Sequence, residues 1–349
     1  MFLNLGYSNE WWHKYYGFRF NEGLYRDPFA KLAVQNKIDS VMREKFSRWD
    51  FLEHLDQTNV VSRFSVDIEP YGHRFIPAMF GAPIRYSDDQ TPWAHTIKLE
   101  DEYIMSLEPM KKEEFKSHPL VKEIVHQHQV LKEAGKVCSA QQNLGSVINT
   151  AIYLRGDDLF YDFADKPEVI HKLFSLITNM LLLSYDYFSE IDNYRPPLGI
   201  GNCSVAMLSP RVYKKFCYPY DKAMMEHAKK IGVPFAIHQD SLIDPFIPIY
   251  KDFDYLSSFD IGCDSNVGLF RENYPHLDIN VFLYTSTLRS LTAAQLYDLI
   301  LKQGEEGKPY SKIGFSVYDI DLDVTDDKIY SICDAFAVLK EKEKTEKSG

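Results

Sequence analysis

Several things are missing from this sequence, and each absence removes a class of protein. No run of about 18 apolar residues occurs among the 349, so no transmembrane helix of ordinary length is expected. The opening MFLNLGYSNEWWHKYYG has no basic segment ahead of an apolar core, so no secretory leader is expected and the cytoplasm is the expected compartment. Basic charge is in deficit: 39 Lys plus Arg face 50 Asp plus Glu, a net charge of −11, and no basic block is available to neutralise a phosphate backbone. Nucleic acid is therefore not an expected partner. The five cysteines, Cys138, Cys203, Cys217, Cys263 and Cys333, are scattered, odd in number and free of any C-x-x-C pair. That pattern disfavours a disulfide framework or a structural zinc knuckle. Neither G-x-G-x-x-G nor a P-loop is present, so nucleotide chemistry drops out. Internal repeats, low-complexity tracts and Pro/Gly/Ser linkers are absent too, and no domain boundary is marked between the ends.

What remains is 45% hydrophobic and 14% aromatic, enough to bury one large core. Residues 1–56 read as a helical cap belonging to a single domain, with amphipathic spacing through DPFAKLAVQNKIDSVMREKF. Residues 57–342 read as a (β/α)8 barrel, in which short apolar or β-branched runs alternate with long helices. The expected strands are VVSRFSV, VCSAQQ, PLGIGNC, VPFAIH, FDYLSSFD, INVFLY and KIGFSV, seven in all and one short of a closed barrel. Among the helices, one opens at Ser209-Pro210, with serine at the N-cap and proline in the first turn, and stops at Gly232. Residues 75–103 read as an inserted hairpin with two extended arms. The final residues 343–349 read as a disordered, solvated tail.

In parallel α/β folds, ligands bind at the carboxyl ends of the strands. Those ends are loaded here: Asn202, Cys203 and Ser204 follow one strand, and His238, Gln239 and Asp240 follow the next. Asp260, Cys263 and Asp264 come after a third, and Tyr318, Asp319, Asp321 and Asp323 after the last. Imidazole, thiolate and carboxylate converging on one mouth suit a catalytic zinc ion, with His238, Cys217, Cys203 and Asp240 as candidate ligands. In a metal-free alternative, His238 with Asp240 or Asp260 serves as an acid–base pair. Tyr284 is a further catalytic candidate, and Asn143, Asn202, Trp93 and Tyr318 are candidates for substrate binding. The aromatic residues Trp11, Trp12, Tyr15, Tyr16, Trp93 and Tyr284 suit the lining of an apolar pocket.

The stretch GNCSVAMLSPRVYKKFCYPYDKAMMEHAKKIGVPFAIHQD carries an S-P-x-x-Y-x-x-F-x-x-P-Y helix followed by a strand ending in histidine. With QQNLGSVINTAIYLRGDDLFYDFADKPEVIHKLF before it and FDIGCDSNVGLFRENYPHL after it, the chain resembles the uroporphyrinogen decarboxylase superfamily over about residues 55–340. That resemblance implies a closed (β/α)8 barrel. The decarboxylase branch uses an N-terminal arginine segment of the type RQAGRY, which has no counterpart here, so decarboxylation of an acidic tetrapyrrole is not expected. The other branch consists of zinc-dependent methyltransferases, which pass methyl groups between methylated small molecules, corrinoid proteins and thiols. Their ligands include a His-x-Cys pair; His238 matches the histidine, Asp240 stands at the cysteine, and the later ligand falls near Tyr318 or Asp319. In O-demethylase-like members, two acidic residues precede the histidine, and their positions are taken here by Asn202 and Cys217.

The resemblance therefore implies a zinc-dependent transfer of methyl from a methylated small molecule, such as a methoxylated aromatic, to a corrinoid. The methylcobalamin or related corrinoid would be supplied by a partner protein, because no cobalamin-binding module is recognisable in this chain. A metal-free lyase and a catalytically inactive binding homologue are the alternatives. Nothing in the sequence chooses between a monomer and a homodimer.

Overall fold

The segment Ile313–Ile320 is buried at its first five positions and again at Ile320, as expected of a parallel strand covered on both faces. In the computed structural model, which describes residues 1–49 and 66–348, this strand organises one of two compact units. That unit comprises Met1–Phe18, Asn36–Arg63 and His238–Gly349. Ile313–Ile320 lies between Leu3–Tyr7 and Asp278–Leu283, and the latter pairs in turn with Leu256–Gly262; all three ladders are parallel. The register sets Leu3 opposite Phe315, Ile313 opposite Ile279, and Ser258 opposite Asp278. Beyond Leu256–Gly262, the Gly262 N–H donates to the Ser241 carbonyl at 3.1 Å, tying in the loop that follows His238. Crossover helices join the strands, among them Ala293–Glu306, which opens on a Thr292/Gln295 capping box. Asp326–Ser348 packs against it.

The other unit comprises Arg19–Gln35 and Phe64–Ile237. It contains a parallel pair, Val66–Asp67 with Cys138–Ser139, and an antiparallel pair, Ile84–Arg85 with Trp93–Ala94. Leu198–Gly201 is held at one end by the Leu198 N–H on the Pro234 carbonyl (2.9 Å) and at the other by an isolated bridge to Gly145. The helix Pro167–Asp192 begins on proline and stops at Asn193, whose φ of 51° is left-handed. Pro210–Phe216 and Tyr218–Ile231 follow, with Ser209 capping the first and left-handed Gly232 ending the second. The strand Phe235–Gln239 runs across the division between the units, which falls after Ile237.

The α/β class, the parallel strands and the N-terminal helices agree with expectation. Among the described residues, strand hydrogen bonds do not close an eight-strand ring within either unit. Residues 1–56 are not wholly helical, because Leu3–Tyr7 is a strand ahead of the helices Asn9–Tyr16, Glu22–Arg26 and Pro28–Lys45. Its alternate residues Leu3, Leu5 and Tyr7 are buried, a period-two signal overshadowed by the aromatic helix behind it. The inserted hairpin exists, but only as Ile84–Arg85 and Trp93–Ala94; FIPAM, read as an extended arm, is a helix, and so is Asp101–Ser106. The expected tail is helical through Ser348, anchored by Glu343, which is 4% exposed and bonded to Lys340 and Lys347. Most of the expected strand VVSRFSV, and the boundary at residue 56, lie outside the described residues.

Candidate metal centre

Burial alternates along Phe235–Gln239: Phe235, Ile237 and Gln239 are inside, and His238 faces the other way. His238 Nδ1 lies 2.8 Å from Asp260 Oδ2, on the strand Leu256–Gly262. The carboxylate accepts, so Nδ1 carries a proton. Asp240 Oδ2 stands 3.7 Å from Nε2, and both side chains are 35% exposed. That separation is too long for a hydrogen bond and short enough for two donors to share one ion. Phe282 meets the imidazole edge-on at 4.7 Å, and Tyr318, 46% exposed, lies 5.9 Å beyond Phe282.

Tyr284 follows the strand Asp278–Leu283 and donates its hydroxyl to Asp264 Oδ1 at 2.8 Å. Burial, and then the bond to Asp264, push its pKa well above the ordinary value, so the phenol keeps its proton. Gly262 makes this approach feasible, because a Cβ there would collide with the Tyr284 hydroxyl. The acidic run after Ile313–Ile320 is a salt-bridged loop: Asp321 and Asp323 bind Arg289 at 2.8 and 2.7 Å. Asp319 is left-handed at φ 56°, and its carbonyl accepts from Thr285. The tryptophans expected to line a pocket are mostly core: Trp11 and Trp12 are buried against Tyr7, whereas Tyr15 and Tyr16 are exposed.

In the other unit, Asn202 and Cys203 stand where Leu198–Gly201 gives way to the short 3-10 helix Cys203–Met207. Cys203 is partly exposed, so its thiol can be reached from solvent. Cys217 does not meet that condition. It sits at the junction of Pro210–Phe216 and Tyr218–Ile231, fully buried, and burial followed by the nearby Asp221 carboxylate pushes its thiol pKa well above normal. Its burial sets Cys217 apart from the more exposed candidate ligands His238, Asp240 and Cys203. Asn202, expected to touch substrate, is fully buried and donates Nδ2 to Asp221 Oδ2 at 2.7 Å. Asn143 is exposed in the loop before Val147–Arg155, and Trp93, 36% exposed, pairs with Arg85 in the hairpin.

Asp221 was not expected to matter, although the S-P-x-x-Y-x-x-F-x-x-P-Y motif ends directly before it. The carboxylate is 1% exposed and accepts from Asn202 and, at 2.9 Å, from Tyr213. Burial pushes its pKa up to about 7, with the two hydrogen bonds acting in the opposite direction.

Known proteins place these features in context. The solved structure of a methyltransferase from Methanosarcina mazei superposes with a TM-score of 0.65 at 10% identity, covering 97% of this chain and 94% of that one. Two epimerases, 3-keto-D-glucoside 4-epimerase from E. coli and D-psicose 3-epimerase from Clostridium cellulolyticum H10, superpose with TM-scores of only 0.28 and 0.27. Their identities are 12% and 9%, and they cover 70% and 64% of this chain against 98% and 83% of their own; overlap this poor carries no argument. Comparison with curated proteins returned no match. The family model for uroporphyrinogen decarboxylase (URO-D) matches residues 57–274. With well over half its length matched by that model, this chain belongs to the uroporphyrinogen decarboxylase family.

Proposed function

We propose that this chain is a zinc-dependent methyltransferase, moving a methyl group from a methylated small molecule, a methoxylated aromatic or a similar compound, to a corrinoid protein that acts in trans. The observation that carries this reading is the setting of His238: Asp260 engages Nδ1 at 2.8 Å, and the Asp240 carboxylate stands 3.7 Å from Nε2. A carboxylate behind the histidine and a second donor ahead of it is the arrangement by which proteins orient metal-binding imidazoles. We assign His238 and Asp240, nitrogen and oxygen donors that zinc accepts, as ligands, and keep Cys203 as the thiol that the sequence suggests. When bound, zinc supplies Lewis acidity to the heteroatom that loses its methyl group.

The chain's own residues do the rest. Asp260 fixes the tautomer and angle of His238. Phe282 and Tyr318 offer ring surface beside the imidazole, suited to a flat aromatic substrate. Tyr284, protonated and held by Asp264, provides a fixed polar contact. The fold similarity to the methyltransferase from Methanosarcina mazei supports the architecture of this reading.

Metal analysis of protein purified without chelators tests it: close to one zinc per chain is expected, and less than about 0.2 overturns it. Methyl transfer from methoxylated aromatics to cob(I)alamin is the matching activity measurement. One feature favours a second reading. The 2.8 Å contact between His238 and Asp260 is also the geometry of an acid–base pair in a metal-free lyase, and turnover by zinc-free protein would select it.

A further inference from the structure

We infer that Asn280 is a substrate-binding residue, its amide Nδ2 donating a hydrogen bond to an uncharged oxygen of the ring compound, a phenol, ether or carbonyl; the aromatic substrate is taken from the reading above. Every residue concerned belongs to the unit that holds His238 and Met1–Phe18. Side chains alternate along Asp278–Leu283: Ile279, Val281 and Leu283 are buried on one side, and Asn280 and Phe282 belong to the other. Asn280 is the register partner of Asp260 in the neighbouring strand. The two side chains therefore stand side by side, on the face where Asp260 meets His238.

Asn280 ends a chain of hydrogen bonds that crosses three strands. Asn4 Nδ2, on Leu3–Tyr7, donates to Ser316 Oγ at 3.3 Å, and Ser316, fully buried on Ile313–Ile320, donates in turn to Asn280 Oδ1 at 3.0 Å. A hydroxyl has one proton to give, so the direction of the chain turns Oδ1 of Asn280 towards Ser316 and Nδ2 away from it. Among the described residues no acceptor meets that Nδ2, although Asn280 is only 9% exposed. An amide donor held this deep without an acceptor destabilises the fold, and an arriving oxygen recovers the loss. The charge of the face selects the kind of oxygen. Asp260 stands beside Asn280, while Phe282, Ser316, Tyr318 and Asn4 on the same face carry no positive charge. A substrate carboxylate at Asn280 would meet Asp260 without a counter-charge from these side chains, whereas a neutral oxygen meets only the donor. Phe282, two residues along the same strand, offers the ring its contact.

The test titrates the full chain with the three isomeric methoxyphenols, with methoxybenzene and with the matching methoxybenzoates, and reads binding by calorimetry. In the unaltered protein the best methoxyphenol should bind at least about fivefold more tightly than methoxybenzene, which lacks the second oxygen, and than the matching methoxybenzoate, which is charged. Asn280→Ala should shrink the preference over methoxybenzene to within about twofold, with methoxybenzene itself bound as before. Asn280→Val combined with Ser316→Ala removes both hydrogen-bonding partners at once, leaves neither stranded in the core, and should give the same result if the single change does not fold. A folded variant that keeps the full preference overturns the role of Asn280. So does an unaltered protein that favours the methoxybenzoate, shows no preference, or binds none of the compounds. Zinc content of the same preparation separates the two readings: a zinc-bearing chain without the preference overturns this inference alone, and a chain with less than about 0.2 zinc that keeps the preference overturns the metal reading alone.

Discussion

Asp260 decides how the His238 ring is held. With the carboxylate on Nδ1 at 2.8 Å, the ring is held in one orientation, and Nε2 lies 3.7 Å from Asp240. Asp260→Asn keeps the shape but removes the charge and part of the acceptor strength. Zinc affinity measured by chelator competition should fall by about 10–100-fold, with the melting temperature little changed; an unaltered affinity would mean that Asp260 does not orient the ring. At this scale the sequence was informative in a particular way. His238, Asp240 and Asp260 could be singled out because each stands at or just beyond a strand's carboxyl end. Cys217 could not be judged from sequence, since nothing in a helix pattern distinguishes a thiol turned to a site from one sealed in the core. Asp221 was invisible for a related reason: an aspartate in the first turn of a helix ordinarily serves the helix dipole in water, and only its partners reveal that it is buried.

Among the elements, helix caps were the clearest signals. Ser209-Pro210 and Gly232 bound their helices as read, because the N-cap hydroxyl accepts from a backbone N–H two or three residues on and the left-handed stop favours glycine. Leu3–Tyr7 was less legible, since its partner Ile313–Ile320 is about 310 residues away, and no local pattern announces a ladder of that span. The packing of Ala293–Glu306 on Asp326–Ser348 allows a sharp test. Gly304 lies where an added Cβ would overlap Leu339. A glycine-to-alanine change inside a helix normally stabilises by about 1 kcal/mol. Gly304→Ala should instead destabilise by about 1–3 kcal/mol in urea unfolding, because the facing Leu339 is fully buried and has no room to withdraw.

For the molecule as a whole, Asp221 ties stability to pH. Its folded pKa is raised to about 7 from an ordinary 3.8, so the folded state binds this proton more tightly than the unfolded chain. The group's relative stabilisation is therefore complete below the ordinary value and is lost as pH rises through the folded one. At about 1.4 kcal/mol per pKa unit, the loss across that window amounts to a few kcal/mol. Denaturant midpoints should carry a falling contribution between about pH 4 and 7 that flattens in Asp221→Asn; the same slope in the variant would assign it to other groups. No described helix is long and apolar enough to cross a membrane, consistent with the first reading of composition. By itself, the sequence determined the α/β class, the family and the strand ends that carry His238 and Asp240, because periodicity, caps and motif order are local properties of the chain. Tertiary structure alone decided that Cys217 is sealed, that Leu3–Tyr7 joins the sheet, and that Asp260 holds the ring of His238. Burial and pairing depend on residues distant in sequence, and local spacing carries no record of which of them meet.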